Sequence, residues 1–233
     1  MINTFSYSSL NDYFTCPKLF WYRTFNKKKA VPNQYIIKGN SVHHAIEKND
    51  TLEGALEYLS GFYDKDSFID RDIPDDVLRC IKNYYEKIYP HLNEFDLKER
   101  SFRFPFYDTG LLLLGKMDRV DHQSHIIYDW KTTVQTPDRY DLQDMQFYIY
   151  WMAYGQLFGE KPKVYYGHLY SGQLFAIDIR ENLWYNEIVG VIKKAVTEMK
   201  AKEKDGFYPR LFGYRCKNCL YKGVCWQEYE LGN

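Results

Sequence analysis

The sequence has no net charge and no long apolar run. It contains 31 Lys and Arg residues and 31 Asp and Glu residues in a chain of 233 residues. Without a global positive field, any binding to nucleic acid must depend on local basic patches. No apolar stretch approaches the ~20 residues of a membrane span, and the first residues do not resemble a signal peptide. These absences predict a cytoplasmic protein with no membrane partner.

Cysteine is scarce, and four of the five cysteines lie near the two ends of the chain. A cytoplasmic protein keeps its thiols reduced, so disulfides are not expected. The C-x-x-C pair Cys216 and Cys219 is followed by Cys225. Clustered cysteines in a reducing compartment commonly bind a metal or a cluster. Three ligands are one short of a closed site, and Cys16 is a candidate for the fourth. Zinc and an iron–sulfur cluster both suit four thiolates.

Two apolar stretches that end in charge predict neighbouring strands. The first runs from Leu111 to Asp118, and the second from Ile126 to Lys131. Side chains two apart on a strand share a face, so Asp129 and Lys131 project together. Antiparallel pairing would also bring Asp118 close to Asp129.

Two carboxylates beside an ammonium group suit metal-assisted chemistry on a phosphate. Mg²⁺ is commonly held by one or two carboxylates, together with water and substrate phosphate. A neighbouring lysine can orient water or stabilise developing negative charge. The alternative is a surface salt bridge between Asp129 and Lys131, but both residues lie at the end of an apolar strand, which favours a buried site.

The run from Gly115 to Asp121, followed by Asp129-Trp130-Lys131-Thr132-Thr133, resembles the PD-(D/E)XK nuclease superfamily. Its RecB-like branch carries the motifs G-x-x-D-R-x-D and D-x-K-T. The resemblance implies an α/β fold, with a restriction-endonuclease-like mixed central sheet flanked by helices. It also implies one nuclease domain over residues 1–233, with a helical insertion at 48–100. A cysteine-ligated clasp would be formed by residues 1–30 and 205–233.

Two further motifs extend the resemblance. The segment from Gly39 to Glu47 predicts the start of a helix, with Ser41 as its cap, and matches the family's first motif. The apolar stretch from Tyr140 to Tyr154 predicts a long helix, within which Gln146 and Tyr150 match Q-x-x-x-Y. The resemblance assigns metal binding to His43, Asp118, Asp129 and the Trp130 carbonyl, with Glu47 as a secondary candidate. It assigns catalytic roles to Lys131, Asp118, Asp129, Gln146 and Tyr150.

The terminal cysteines resemble the 4Fe–4S site of AddB-type nucleases and CRISPR-associated exonucleases. This implies that Cys16, Cys216, Cys219 and Cys225 hold a cluster, with zinc as the alternative. Basic residues interleaved with aromatics near both termini form a weaker DNA-binding prediction: Lys18, Arg23, Lys27, Lys28, Lys29 and Arg215.

The predicted function is Mg²⁺- or Mn²⁺-dependent hydrolysis of DNA, by an exonuclease acting on single strands or ends. The resemblance implies a role in recombination, repair, phage replication or CRISPR spacer acquisition, with a helicase, recombination or integrase partner. The alternative from another class is a non-catalytic DNA- or protein-binding module with a structural Fe–S or zinc site.

Overall fold

The computed structural model describes residues 2–26, 30, 33–65 and 72–231. The helices are α1 Tyr7–Thr15, α2 Pro17–Trp21, α3 Gln34–Lys48, α4 Leu52–Lys65, α5 Asp75–Asn83, α6 Met145–Phe158, α7 Glu181–Leu183, α8 Val189–Asp205 and α9 Lys222–Glu230. The strands are β1 Thr4–Ser6, β2 Leu97–Pro105, β3 Leu112–Asp121, β4 Ile126–Lys131, β5 Lys163–His168 and β6 Gln173–Ala176. None of the helices in these described ranges is both long and apolar enough to cross a membrane.

The chain divides into two compact units. The first unit contains residues 1–33, 103–115 and 181–233, and the second contains residues 34–102 and 116–180. The assignment of the whole chain to one nuclease domain stays a prediction.

In the first unit, β1 pairs in parallel with the beginning of β3, with Phe5 opposite Leu113. Ser6 caps α1, because its hydroxyl accepts the N–H of Ser9 while its own N–H donates to the Ser9 hydroxyl. Cys16 ends α1 in an extended conformation, and Pro17 then occupies the first turn of α2. Proline is well suited to that position, since its missing N–H would have no partner within the helix.

The second unit contains a mixed sheet flanked by helices. Strand β3 pairs antiparallel with β4, β4 runs parallel to β5, and β5 pairs antiparallel with β6. On one face, Tyr128 and Trp130 of β4 join a core built from α3, α4 and α5. On the other face, Phe147 of α6 contacts Tyr166 of β5, with ring centroids 6.2 Å apart. This alternation places Asp129 and Lys131 on the same face as Tyr166.

Two predicted helix starts are wrong. Helix α3 begins at Gln34 and passes through Gly39, and Ser41 is a buried mid-helix residue that donates to the Lys38 carbonyl. A Cβ added at Gly39 would lie 3.4 Å from the hydroxyl oxygen of Thr132, an ordinary contact distance. The later helix, α6, begins at Met145, because the Asp144 side chain caps it by accepting the N–H of Gln146.

Candidate metal centre and cysteine cluster

The antiparallel pairing of β3 and β4 brings the two predicted aspartates together. Arg119 lies opposite Tyr128 in this antiparallel pair. Asp118, one residue before Arg119, therefore lies opposite Asp129, one residue after Tyr128. The backbone N–H of Trp130 donates to Oδ2 of Asp118 across 2.7 Å. The predicted antiparallel pairing is therefore confirmed, but the predicted strand end at Asp118 is wrong, because β3 continues to Asp121 and Asp118 lies within it.

The two carboxylates have different electrostatic environments. Burial raises the pKa of Asp129 to about 6; the Lys131 charge lowers it in part, and the Asp118 charge raises it further. Burial also raises the pKa of Asp118, but His43 and the Trp130 N–H outweigh it, so the net pKa is lowered. Asp118 therefore carries the more stable negative charge.

Lys131 is held by two side chains. Its Nζ lies 2.7 Å from Oδ2 of Asp129 and donates to Oε1 of Gln146 across 2.8 Å. Burial lowers the pKa of Lys131, but the charge and hydrogen bond of Asp129, together with the Asp118 charge, raise it by more, so the net pKa is raised. The amide nitrogen of Gln146 in turn donates to the Tyr150 hydroxyl across 2.8 Å. Lys131, Gln146 and Tyr150 thus form one chain of hydrogen bonds beside the carboxylates, with Lys131 as an ammonium group.

His43 approaches the carboxylates from α3. Its Nδ1 lies 3.6 Å from Oδ2 of Asp118. Burial lowers the pKa of His43, but the charge and hydrogen bond of Asp118 raise it by more, so the net pKa is raised. The imidazole therefore holds its proton more strongly than an ordinary histidine does.

Glu99 is the member of this group that sequence reasoning missed. One ligand atom from each of His43, Glu99 and Asp118 lies within 4.8 Å of the others, and neither Glu47 nor Asp129 is part of this group. Glu99 lies on β2 with a positive φ of 52°, which side chains other than glycine rarely adopt, and it forms an ion pair with Lys116. Its only sequence signal was an acid in the strand before Asp118, within the charged run Lys98-Glu99-Arg100.

The donor set fits a hard or borderline divalent cation. Carboxylate oxygens suit Mg²⁺ and Mn²⁺, and an imidazole nitrogen favours Mn²⁺ over Mg²⁺. The fourth predicted ligand is the backbone carbonyl of Trp130, the residue between Asp129 and Lys131 in β4.

The terminal cysteines come together in the first unit. The Cys16 sulfur accepts the N–H of Leu211 at 3.4 Å, and the Cys216 thiol donates to the Leu211 carbonyl at 3.8 Å. Burial raises the pKa of Cys219, and the charges of Cys16, Cys216 and Cys225 raise it further. Within the described residues, no three of the four sulfurs lie within 4.8 Å of one another.

The predicted basic residues have different surroundings. Lys18 lies 3.6 Å from Glu228 and 3.9 Å from the centre of the Trp21 ring. Arg23 donates to both oxygens of Asp12, at 2.7 and 2.8 Å. Arg215 is exposed, whereas Lys27, Lys28 and Lys29 lie outside the described residues.

Comparisons with known proteins were made for the whole chain. The model of the PD-(D/E)XK nuclease superfamily matches residues 4–226. The structure of a proposed exonuclease from Eubacterium rectale is 15% identical, with a TM-score of 0.64, covering 93% of this chain and 88% of that protein. The structure of SSO0001 is 14% identical, with a TM-score of 0.47, covering 97% of this chain and 87% of that protein. A search of curated proteins found no match.

Proposed function

Because this chain belongs to the PD-(D/E)XK nuclease superfamily, we propose that it is a metal-dependent deoxyribonuclease of the RecB-like type. We propose that it acts as an exonuclease on single strands or DNA ends, in recombination, repair, replication or spacer acquisition. The observation that carries the proposal is that Asp118, within β3, lies opposite Asp129 of β4, whose carboxylate contacts Lys131.

In this proposal, His43, Asp118, Asp129 and the Trp130 carbonyl hold Mg²⁺ or Mn²⁺. Glu99 replaces Glu47 as the additional ligand, because its carboxylate belongs to the group with His43 and Asp118. When bound, the cation supplies a positive charge that neutralises the phosphate and activates water.

The side chains around that group have separate tasks. Lys131, kept as an ammonium group by Asp129, orients the attacking water and stabilises negative charge that develops on the phosphate. Gln146 fixes the position of Lys131 through the hydrogen bond to its Nζ. Tyr150 fixes Gln146 from its other end.

We further propose that Cys16, Cys216, Cys219 and Cys225 hold a 4Fe–4S cluster, with zinc as the alternative. The mutual influence of these four thiols supports a shared site. A cluster there would bind residues near Cys16 to the segment from Cys216 to Cys225 and so stabilise the first unit.

The test is a cleavage assay on labelled single- and double-stranded DNA with Mn²⁺, Mg²⁺ or EDTA. The wild-type chain is expected to cleave only with a metal. Asp129→Asn should cut at least about 100-fold more slowly, since losing even a residue that supports a metal ligand costs 10–100-fold. Asp141→Asn, at an exposed acid before α6, is the matched control.

Two results would contradict the proposal. Asp129→Asn could cleave as fast as wild type, which would remove Asp129 from the chemistry. Alternatively, a folded wild-type chain could bind DNA with metal present yet leave it intact, which would favour the non-catalytic binding module.

A further inference from the structure

A groove in the second unit is lined by chain neighbours of the candidate metal centre, with Val42 before His43 and Thr132 after Lys131. It has a volume of about 490 Å³ and is lined by α3, α5 and the segment after β4, including Tyr35, Lys38, Val42, Asp76, Thr132 and Gln135. We call it the Tyr35 groove. Its volume lies in the usual range for small-molecule sites.

One side of the groove is formed by the residues that follow β4. Thr132 comes directly after Lys131 in the chain and lies beside Gly39 of α3. The carbonyl of the next residue, Thr133, accepts a hydrogen bond of 2.7 Å from Nε2 of His168, which is 1% exposed. A ligand in the groove would therefore contact a segment that is anchored to the buried His168 and directly follows Lys131 in the chain.

The charges in the groove are balanced. The Lys38 ammonium donates to both oxygens of Asp76, at 3.0 and 2.9 Å. A phosphate would have to compete with the Asp76 carboxylate for this cation. A neutral ligand with hydrogen-bonding edges meets no such cost, and can use the hydroxyl of Thr132 and the amide of Gln135.

An aromatic side chain stands at one end of the groove. Tyr35 is 83% exposed, although it belongs to a helix whose same face carries the buried Val42. The groove is lined largely by apolar side chains, including Val42, Val77 and Val134, with a few polar groups between them. An exposed aromatic ring beside such a groove suits an unpaired nucleobase, which has a π-face and polar edges.

We propose, building on the nuclease function above, that the Tyr35 groove binds an unpaired base of single-stranded DNA next to the cleavage site. Tyr35 stacks on the base, and the groove wall contacts its edges. Tyr35 precedes His43 by eight residues on α3, or ~12 Å along the helix axis. That distance corresponds to roughly two to four nucleotides of a single strand, so the bound base lies that far from the cut phosphate.

The first experiment measures binding without cleavage. Fluorescence anisotropy in EDTA compares labelled single-stranded and duplex DNA on wild type, Tyr35→Ala and Tyr35→Phe. Tyr35→Ala should weaken single-strand binding by roughly 5- to 100-fold, the value of one base–aromatic stack. Tyr35→Phe should bind as wild type does, because it keeps the ring. Phe95→Ala is the matched control, since Phe95 is 63% exposed and does not line the groove.

The second experiment locates the contact. Single-stranded substrates cut at one mapped bond are lengthened by one nucleotide at a time on each side of that bond. The KM of wild type should fall once the strand reaches roughly two to four nucleotides on one side. That fall should be missing in Tyr35→Ala, with kcat unchanged.

The inference is overturned if wild type does not bind single strands, if Tyr35→Ala binds them normally, or if duplex binding falls equally. It is also overturned if the substitution raises KM equally at every length. Cleavage that continues normally alongside these results would leave the nuclease proposal standing. Tyr35-dependent binding without cleavage would support the groove and reject the nuclease.

Discussion

The backbone N–H of Trp130 donates to the side chain of Asp118, so the D-x-K strand directly orients the aspartate of its neighbour. This bond links the two halves of the candidate metal centre before any cation binds. It also helps to keep Asp118 ionised, whereas Asp129, across the strand pair, has a pKa raised to about 6.

Metal affinity should therefore depend on pH. Burial raises the pKa of Asp129 to about 6, so a proton occupies this carboxylate below that pH and must leave before a cation binds. The Asp129 proton alone should make affinity fall by up to about tenfold per pH unit below about pH 6. His43, whose pKa is raised above its ordinary value of 6.5, should make the fall begin at a higher pH and become steeper.

Calorimetric titration with Mn²⁺ at about pH 5 and about pH 8 would measure the change, with proton release followed in buffers of different ionisation enthalpy. Asp129→Asn cannot take up this proton, so its weaker affinity should vary less with pH. An affinity that stays constant between the two conditions would contradict the assignment of Asp129 as a ligand.

The pairing of Asp118 with Asp129 was predictable because two local signals agree. Apolar alternation fixed the face of Asp129 and Lys131, and the short polar turn between the two apolar stretches favoured antiparallel pairing, although β3 continues past Asp118 to Asp121. Glu99 lacked such agreement, since its side chain reaches the site through a positive φ in the middle of a strand. No pattern in the sequence predicts a positive φ at this position.

The helix starts failed for a related reason. Gly39 and Ser41 are strong local signals for a helix start, yet both lie inside α3, which begins at Gln34. The Ser41 hydroxyl donates to the Lys38 carbonyl and lies 3.0 Å from the Tyr63 hydroxyl. These contacts within the buried core therefore replace the capping role predicted for Ser41.

Gln146 should affect the rate more than the fold. It is the side chain that joins Lys131 to Tyr150, at 2.8 Å on each side. Gln146→Ala frees the lysine to move, so kcat should fall by about 10- to 100-fold, the usual effect of removing a group that orients a catalytic residue.

Steady-state cleavage of single-stranded DNA would measure this fall, and thermal unfolding would report stability. Gln143→Ala, at an exposed position in the turn before α6, should retain wild-type kinetics. If Gln146→Ala also cleaves at the wild-type rate, then Lys131 does not need the amide for its position.

The cysteine cluster makes a prediction that does not require DNA. Anaerobically purified protein should be brown and contain iron and acid-labile sulfide. Cys219→Ser should lose both and unfold at a lower temperature, because binding of a structural metal contributes to folding. Cys80→Ser, at a buried cysteine of α5 outside the cluster, should keep its iron.

Elemental analysis separates the alternatives for this site. A colourless protein with stoichiometric zinc that is lost in Cys219→Ser would replace the iron–sulfur assignment by zinc. Protein prepared anaerobically with neither metal would contradict a cysteine-ligated site.

Gly167 should be essential for the packing of the D-x-K strand. It lies beside Trp130 in the parallel pair β4–β5, and a Cβ at this position would overlap Cε3 and Cζ3 of the Trp130 ring. The ring cannot move freely, because it stacks on Tyr128 with centroids 5.5 Å apart and contacts Tyr84 at 5.4 Å. Gly167→Ala should therefore lower the free energy of unfolding by about 1–3 kcal/mol.

The control is Gly190→Ala in α8, where an added Cβ meets nothing within 4 Å. Alanine favours a helix over glycine by up to about 1 kcal/mol, so this variant should be unchanged or more stable. Urea unfolding would measure both substitutions. Because Trp130 lies between Asp129 and Lys131, Gly167→Ala should also slow cleavage at temperatures where it remains folded. Equal stability of the two variants would show that the Trp130 ring can move aside without cost. Gly167 would then not be needed for the packing of Trp130 in the D-x-K strand.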